Sequence, residues 1–310
     1  MIKIGVIGVG HLGQHHARIL SQIPSCELVG VVDADKKRAE KIAKDSKTGA
    51  YAQAEELFGK VDALILAIPT PLHYTLGKKC LENGIHCLIE KPLSQSVEEA
   101  EALISIAKNK NLVLQVGHVE RFNPAIIAAQ QYIHDPKFIE VNRLGSYDPR
   151  VSHIGVVLDL MIHDLDIVLF LLQSEVQSLE AFGAKVLSDH EDIVKCRLRF
   201  KNGCIVDLSA SRISLEQYRK IRIFQSDAYL SIDYARKDLK IYKRKTPIVK
   251  SFNDIAILRP SLKNEESLKL ELEHFLDCLR HGKKPLVSGE HGRDALELGL
   301  EILEQLQLHK

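Results

Sequence analysis

Three groups of residues in this chain have the types and spacing for redox chemistry on a small molecule. The first is Gly8-Val9-Gly10-His11-Leu12-Gly13, which directly follows the apolar run Ile2 to Ile7 and precedes an acid at Asp33. Glycine at the first position permits a tight turn after a strand. At the second it lets the backbone approach a pyrophosphate, and at the third it lets the next helix pack close to the sheet. The turn Gly8, Gly10, His11, Leu12 and Gly13 then presents the unpaired amides and dipole of a helix N-terminus to the phosphates. Asp33 stands 20 residues beyond Gly13, at the end of the strand Glu27 to Val32, where a carboxylate accepts both ribose hydroxyls and repels a 2′-phosphate. The expected cofactor is NAD in preference to NADP, with Lys36, Lys37 and Arg38 near enough to weaken that preference.

The second group is Glu90-Lys91-Pro92, just after the apolar run Ile85 to Ile89. That is the carboxyl edge of a parallel sheet, where ligands of open α/β folds bind. A lysine there can donate to a substrate oxygen and stabilise developing negative charge, with Glu90 orienting it and Pro92 fixing the turn. Read alone, Lys91 is equally a solvated loop lysine. Pro69, Thr70 and His73 follow the run Val61 to Ala67 and are expected to border the cofactor, Thr70 also serving as a helix cap. Of His15 and His16, at least one must point away from the phosphates, as a packing histidine does.

The third group lies in Val156 to Leu172, where every residue is apolar except Asp159, His163, Asp164 and Asp166. Asp159, His163 and Asp166 fall at i, i+4 and i+7, on one helical face. Buried carboxylates and imidazoles need partners, since each unpaired one costs on the order of several kcal/mol. The partners here are either a substrate or a structural network between domains. An imidazole, with an intrinsic pKa of about 6.5, can take a hydroxyl proton while the carbon loses hydride, so His163 is the candidate base. Asp159 would orient it or bind substrate hydroxyls. Arg121 and Asn123, in Gly117-His118-Val119-Glu120-Arg121-Phe122-Asn123-Pro124, mark a domain crossing from which they reach a ligand or only anchor the following helix.

The elements that must position these groups follow from periodicity. To about residue 120 the chain alternates strand and helix, with apolar runs at Ile2 to Ile7, Leu28 to Val32, Val61 to Ala67, Ile85 to Ile89 and Leu112 to Val116. That pattern predicts a doubly wound parallel sheet, with one helix over Leu12 to Ser21, one ending at Asn83-Gly84 and one capped by Ser96. Beyond Asn123-Pro124 come strands near Phe138 to Leu144, Ser178 to Ala184, Ile193 to Phe200, Cys204 to Ser211, Lys220 to Phe224, Tyr229 to Tyr234 and Leu239 to Tyr242. Short turns between most of them predict an antiparallel sheet, followed by helices near Ser267 to Arg280 and Gly289 to Leu308. A doubly wound α/β domain over residues 1–120 and an α+β domain for substrate and assembly over 121–310 are expected, with Lys245 to Lys263 a surface loop.

Composition narrows the class. At 310 residues, 45% hydrophobic, with a formal net charge of +1, the chain is long enough for two cores and too neutral for generic nucleic-acid binding. Basic residues from Arg219 through Lys250 either attract an anionic substrate such as a nucleotide-linked sugar or guard strand edges. Six cysteines without a Cys-x-x-Cys pair read as reduced, buried thiols of a cytoplasmic protein, with no metal site expected. A strand begins at once after Met1, so no secretion signal is read there, and the four polar residues of Val156 to Leu172 argue against a membrane span.

Taken together, the N-terminal glycine turn, Glu90-Lys91-Pro92, Gly117-His118 and Asp159-x-x-x-His163 resemble the Gfo/Idh/MocA oxidoreductase family along the whole chain. The resemblance implies a nucleotide-binding first domain, and a homodimer or homotetramer built through the open, mainly antiparallel sheet of the second. It also implies a catalytic centre served by the residues matched by Lys91 and His163, with Asp159 beside them. The usual substrates are sugars, inositols or sugar nucleotides, and the likeness around Asp159 to Asp166 is greatest to the UDP-N-acetylglucosamine 3-dehydrogenase branch. Many members carry several glycines where this chain has Ser152-His153-Ile154-Gly155, so substrate contacts there are not carried over. Inositol or free-sugar dehydrogenases, and a non-catalytic nucleotide-bound regulator, are the alternatives.

Overall fold

A computed structural model of the chain describes residues 1–149 and 154–309. They form two compact units, one from Met1–Val119 with Glu266–Leu296, the other from Glu120–Glu265 with the chain from Glu297 onward.

The sheet of the first unit is wholly parallel. Its strands are β1 (Ile2–Ile7), β2 (Cys26–Val32), β3 (Gly49–Tyr51), β4 (Ala63–Leu66), β5 (His86–Glu90) and β6 (Leu114–Gly117), in the order β3-β2-β1-β4-β5-β6. Helices α1 (Gly13–Leu20), α2 (Lys36–Ser46), α3 (His73–Glu82) and α4 (Val97–Asn109) connect them. Covered on both faces, the central strands are near-continuous apolar runs, and all four residues of β4 are fully buried. The order reverses between β1 and β4, which opens a crevice at their carboxyl ends. Local chemistry fixes the helices. Asp35 caps α2 by accepting the Arg38 amide at 3.1 Å, and Ser96 caps α4 by accepting the Glu99 amide at 3.3 Å. β3 escapes sequence reading because three residues show no period; its Tyr51 ring packs where a Cβ on Gly30 would lie, 2.3 Å away.

In the second unit α5 (Pro124–Ala129) precedes β7 (Pro136–Leu144), and a π turn over Val157–Met161 runs into α6 (Ile162–Leu172). β8 (Val176–Ala184), β9 (Ile193–Phe200), β10 (Ile205–Ser211), β11 (Tyr218–Gln225), β12 (Ala228–Asp233), β13 (Asp238–Arg244), β14 (Ile255–Leu258) and β15 (Gln307–His309) follow. The nine strands lie in the order β14-β13-β12-β11-β7-β10-β9-β8-β15, and only β7/β10 and β8/β15 pair in parallel. Alternate residues of β9 are buried and exposed, the mark of a sheet with one face on a core. β14 lies in the segment expected to be a loop: it adds to β13 through Tyr242 and Ile257 at the sheet edge, too short for a period of its own.

The last two helices are α7 (Ser267–His281) and α8 (Gly289–Gln305). Glu266–Leu296, expected in the second domain, belongs with the first unit. The reason is packing: Leu272, Phe275, Leu276 and Cys278 join Ile4, Val6, Ala17 and Leu20 in one core. An amphipathic stripe in a sequence does not say which sheet it will cover. α8 stops at Gln305, before the expected Leu308, and the chain returns to strand.

Candidate active site

In the first unit the three glycines of the turn do different work. Gly8 has φ +80°, and its amide donates to the Val32 carbonyl at 2.8 Å; a Cβ there would lie 2.4 Å from the Ala67 oxygen. A Cβ on Gly13 would lie 1.7 Å from the Gly8 oxygen, so helix and strand approach too closely for any side chain. Gly10 differs: a Cβ on it would meet only an Arg38 guanidinium nitrogen, at 3.9 Å. The space over Gly10 is a cradle of glycine backbone at a helix N-terminus, with His11 and Leu12 exposed beside it. These residues fit the pyrophosphate of a dinucleotide.

Asp33 is held ready. Its carboxylate accepts the amides of Val9 and Asp35, each at 2.9 Å, and Arg38 lies 3.4 Å away. A carboxylate and a cation therefore stand side by side just after β2.

Two expectations after β4 need correction. Thr70 makes no side-chain cap; it opens a 3-10 turn, Thr70–Leu72, preceded by exposed Pro69. His73 is 1% exposed, with one ring nitrogen 2.8 Å from the Pro92 carbonyl and the other 2.8 Å from that of Ile68. It ties the loop after β4 to the turn after β5, with both ring nitrogens taken up by backbone carbonyls. Burial pushes its pKa down, against the pull of those carbonyls and Glu90.

Glu90 ends β5 nearly buried, with one oxygen 2.7 Å from His16 Nε2. Its other oxygen lies where a Cβ on Gly117 would sit, 2.6 Å away, so Gly117 makes room for the carboxylate. Burial alone would raise the Glu90 carboxyl, but the bond to His16 and the charges of His16, Lys91 and His73 bring it below the usual carboxylate range. A fixed anion therefore adjoins Lys91, which is half-buried and joined to Pro92 by a cis peptide bond. His16 is accordingly the packing histidine and His15 the exposed one.

In the second unit the polar residues of the long apolar helix divide into two pairs. Asp166, 1% exposed, takes a bidentate bond from Arg121 at 2.6 and 2.7 Å, and the guanidinium stacks 4.6 Å from the Phe170 ring. Asp164, 2% exposed, does the same with Arg143 at 2.8 Å, and Arg143 also reaches Glu120 at 3.2 Å. Burial opposes the Arg143 charge, but Asp164 and Glu120 raise its pKa above the usual value. Asp159 and His163 stay half-buried, open in part to solvent. The π turn changes the rotational phase between Asp159 and the rest, so the three residues read as one face do not share one environment.

Of the two readings of Arg121 and Asn123, a ligand contact or an anchor for the following helix, the contacts in the structure are those of an anchor. Arg121 is spent on Asp166; Asn123 caps α5 through the Ala125 amide at 3.1 Å and donates to the Tyr234 carbonyl at 3.2 Å. The Arg143–Asp164 pair was not anticipated, and no local signal links residues 21 positions apart. Part of the basic run is paired across strands, as in Arg222–Glu140 at 3.0 Å and Lys243–Asp227 at 3.5 Å. Ser152 and His153 lie outside the described residues. Among the described residues no helix is long and apolar enough to cross a membrane, and all six cysteines are buried and free.

Residues 2–118 match the model of an oxidoreductase family with an NAD-binding Rossmann fold, and residues 134–231 match the GFO/IDH/MocA C-terminal domain. UDP-N-acetylglucosamine 3-dehydrogenase of Acidithiobacillus ferrooxidans is 35% identical over 97% of this chain and 96% of its own length. The NAD(+)-dependent scyllo-inositol 2-dehydrogenase of Bacillus subtilis is 29% identical over 96% of this chain and 92% of its own. A solved structure of the Acidithiobacillus enzyme superposes with a TM-score of 0.92 at 34% identity, covering 98% of this chain and 97% of that one.

Proposed function

The chain belongs to the GFO/IDH/MocA family and is an NAD-dependent oxidoreductase, and on that premise we propose that it acts on a ring hydroxyl of a nucleotide sugar. UDP-N-acetylglucosamine, at C3, is the leading candidate, because the relative of that name matches nearly end to end. The observation that carries the catalytic assignment is the division within one helix. Asp164 and Asp166 are buried against arginines, whereas Asp159 and His163 remain partly open.

NAD, when bound, supplies the hydride acceptor or donor. Gly8, Gly10, Gly13 and Asp33 would hold it, the last through the ribose. Lys91 donates a hydrogen bond to the reacting oxygen and stabilises negative charge as the hydroxyl proton leaves, with the Glu90 carboxylate beside it in the chain. His163 accepts that proton, and Asp159 orients the ring or binds a neighbouring hydroxyl. In the reverse direction the same groups return the proton.

We further place the protein in the cytoplasm, as a homodimer or homotetramer. The assembly surface is the outward face of the nine-stranded sheet, where Phe138, Phe224, Tyr229 and Tyr242 stack at centroid distances of 5.7, 4.9 and 5.8 Å. Light scattering after size-exclusion chromatography tests the assembly. A second reading, an inositol dehydrogenase, is favoured by the Bacillus relative. Nicotinamide reduction by the purified protein, followed across nucleotide sugars, free sugars and inositols, separates the two. Activity confined to inositols would replace the nucleotide sugar, and confirmed NAD binding without turnover would favour a non-catalytic regulator.

A further inference from the structure

Glu191 lies in the connection from β8 to β9 and is 7% exposed. Its backbone oxygen accepts the Val156 amide at 3.1 Å, and its side-chain Oε1 accepts the Val157 amide at 3.2 Å. Those are the opening amides of the π turn that carries Asp159 into α6, and helix-opening amides have no partner within the helix. A carboxylate there also meets the favourable end of the helix dipole. Gly155 makes the approach possible, since a Cβ on it would lie 1.8 Å from Oε1 and 2.1 Å from Oε2. The Gly155 oxygen in turn accepts the Asp159 amide at 3.1 Å.

Glu191 is itself fixed. The next residue, Asp192, is fully buried and accepts the amides of Val186 at 2.7 Å, Leu187 at 2.6 Å and Ser188 at 3.1 Å, with Arg212 Nε at 2.7 Å. Arg212 also donates to the Ile154 carbonyl, just before Gly155. The β8–β9 connection and the residue after β10, itself bonded to that connection, therefore hold the entry of the helix together.

We propose that Glu191, seated on Gly155, is a positioning residue that sets the rotational phase of Asp159 and His163 for the reaction. The inference rests on the reading of His163 as the base. A carboxylate bonded to one amide of the opening turn fixes where the next residues point, and displacements near 1 Å in a reacting group cost about a hundredfold in rate. The side chain need touch neither substrate nor cofactor to act in this way.

The test compares Glu191→Ala, Glu191→Gln, Gly155→Ala and the double variant Gly155→Ala/Glu191→Ala. Steady-state kinetics are read together with the ring 1H–13C resonance of His163, assigned by its loss in His163→Gln. Expected for Glu191→Ala is a fall in kcat of about tenfold or more, with the KM for NAD changed by less than about twofold. Glu191→Gln keeps an acceptor for the Val157 amide and should retain most of the activity. Gly155→Ala displaces the carboxylate and should match Glu191→Ala, while the double variant should be no worse than Glu191→Ala, because the new methyl then occupies vacated space. Wild-type kcat in Glu191→Ala, or additive losses in the double variant, would overturn the proposal. Should Glu191→Ala not fold, Gly155→Ala carries the same comparison with every polar group retained. If the wild-type protein turns over none of the substrates, the functional reading fails on its own. The His163 resonance still decides the present one: it must move in Glu191→Ala and Gly155→Ala and stay in Glu191→Gln, and an unmoved resonance refutes it.

Discussion

Replacing Gly10 with alanine should leave the fold intact and damage only cofactor binding, whereas the same change at Gly13 should damage the fold. At Gly10 the new methyl would meet nothing nearer than 3.9 Å, and the backbone is not in the left-handed region. A glycine-to-alanine change at a compatible position stabilises by roughly 0.4–1 kcal/mol through the unfolded chain, so Gly10→Ala should match or slightly exceed the wild type in urea. The methyl would, however, stand in the space a pyrophosphate must enter. Losing one charge-assisted bond there costs about 1.5–3 kcal/mol, and at about 1.4 kcal/mol per tenfold the NAD Kd should rise by roughly ten- to a hundredfold. At Gly13 the methyl would lie 1.7 Å from a backbone oxygen that cannot rotate away. Strand and helix must separate, and about 3 kcal/mol or more of stability should be lost. Urea midpoints and calorimetric NAD titrations of both variants check this. Wild-type affinity in Gly10→Ala would refute the assignment of the cradle, and an unchanged midpoint in Gly13→Ala would refute the packing argument.

Other perturbations follow from the same contacts. Asp166→Ala leaves Arg121 buried without its carboxylate and should cost about 3–5 kcal/mol in urea unfolding, most of it recovered when Arg121 is also replaced by methionine. Asp192 is pushed up by burial but held well below the usual carboxylate range by the Leu187 and Val186 amides, Arg212 and Ser188. Its stabilisation is therefore present above the unfolded-state pKa of about 3.9 and fades as pH falls below it. Asp192→Asn should accordingly be less stable at pH near 7 and lose less on acidification, as melting curves across pH would record. Asp33→Ser removes the carboxylate that holds Arg38 at 3.4 Å and should weaken NAD while strengthening NADP, read as the ratio of their Kd values.

The parts of the fold that sequence displays are those with long, uninterrupted periodicity. β1 begins and ends where the apolar run does, and α7 and strands β7 to β13 lie within a few residues of their expected positions, because burial repeats over many residues. β3 and β14, three and four residues long, carry no such repeat, and their pairing depends on neighbours distant in sequence. The glycine turn was legible because Gly8 and Gly13 have local steric reasons and Gly10 leaves open space over the backbone. The places of Arg121, Asn123 and His73 were not legible, for the opposite cause: their residue types suit ligands as well as anchors, and the groups that meet them come from elsewhere in the chain. Arg121 meets Asp166 from 45 positions away and His73 meets Pro92 from 19. Glu191 gave no signal, since its work depends on lying over Gly155, which only the folded chain reveals.

The most direct test of the central claim is nicotinamide reduction by wild type, Lys91→Ala and His163→Ala on UDP-N-acetylglucosamine, with NAD affinity measured on the same samples. Turnover by the wild type, lost by about a hundredfold or more in each variant while NAD still binds, is the expected result. Variants that bind NAD and turn over like the wild type would contradict it.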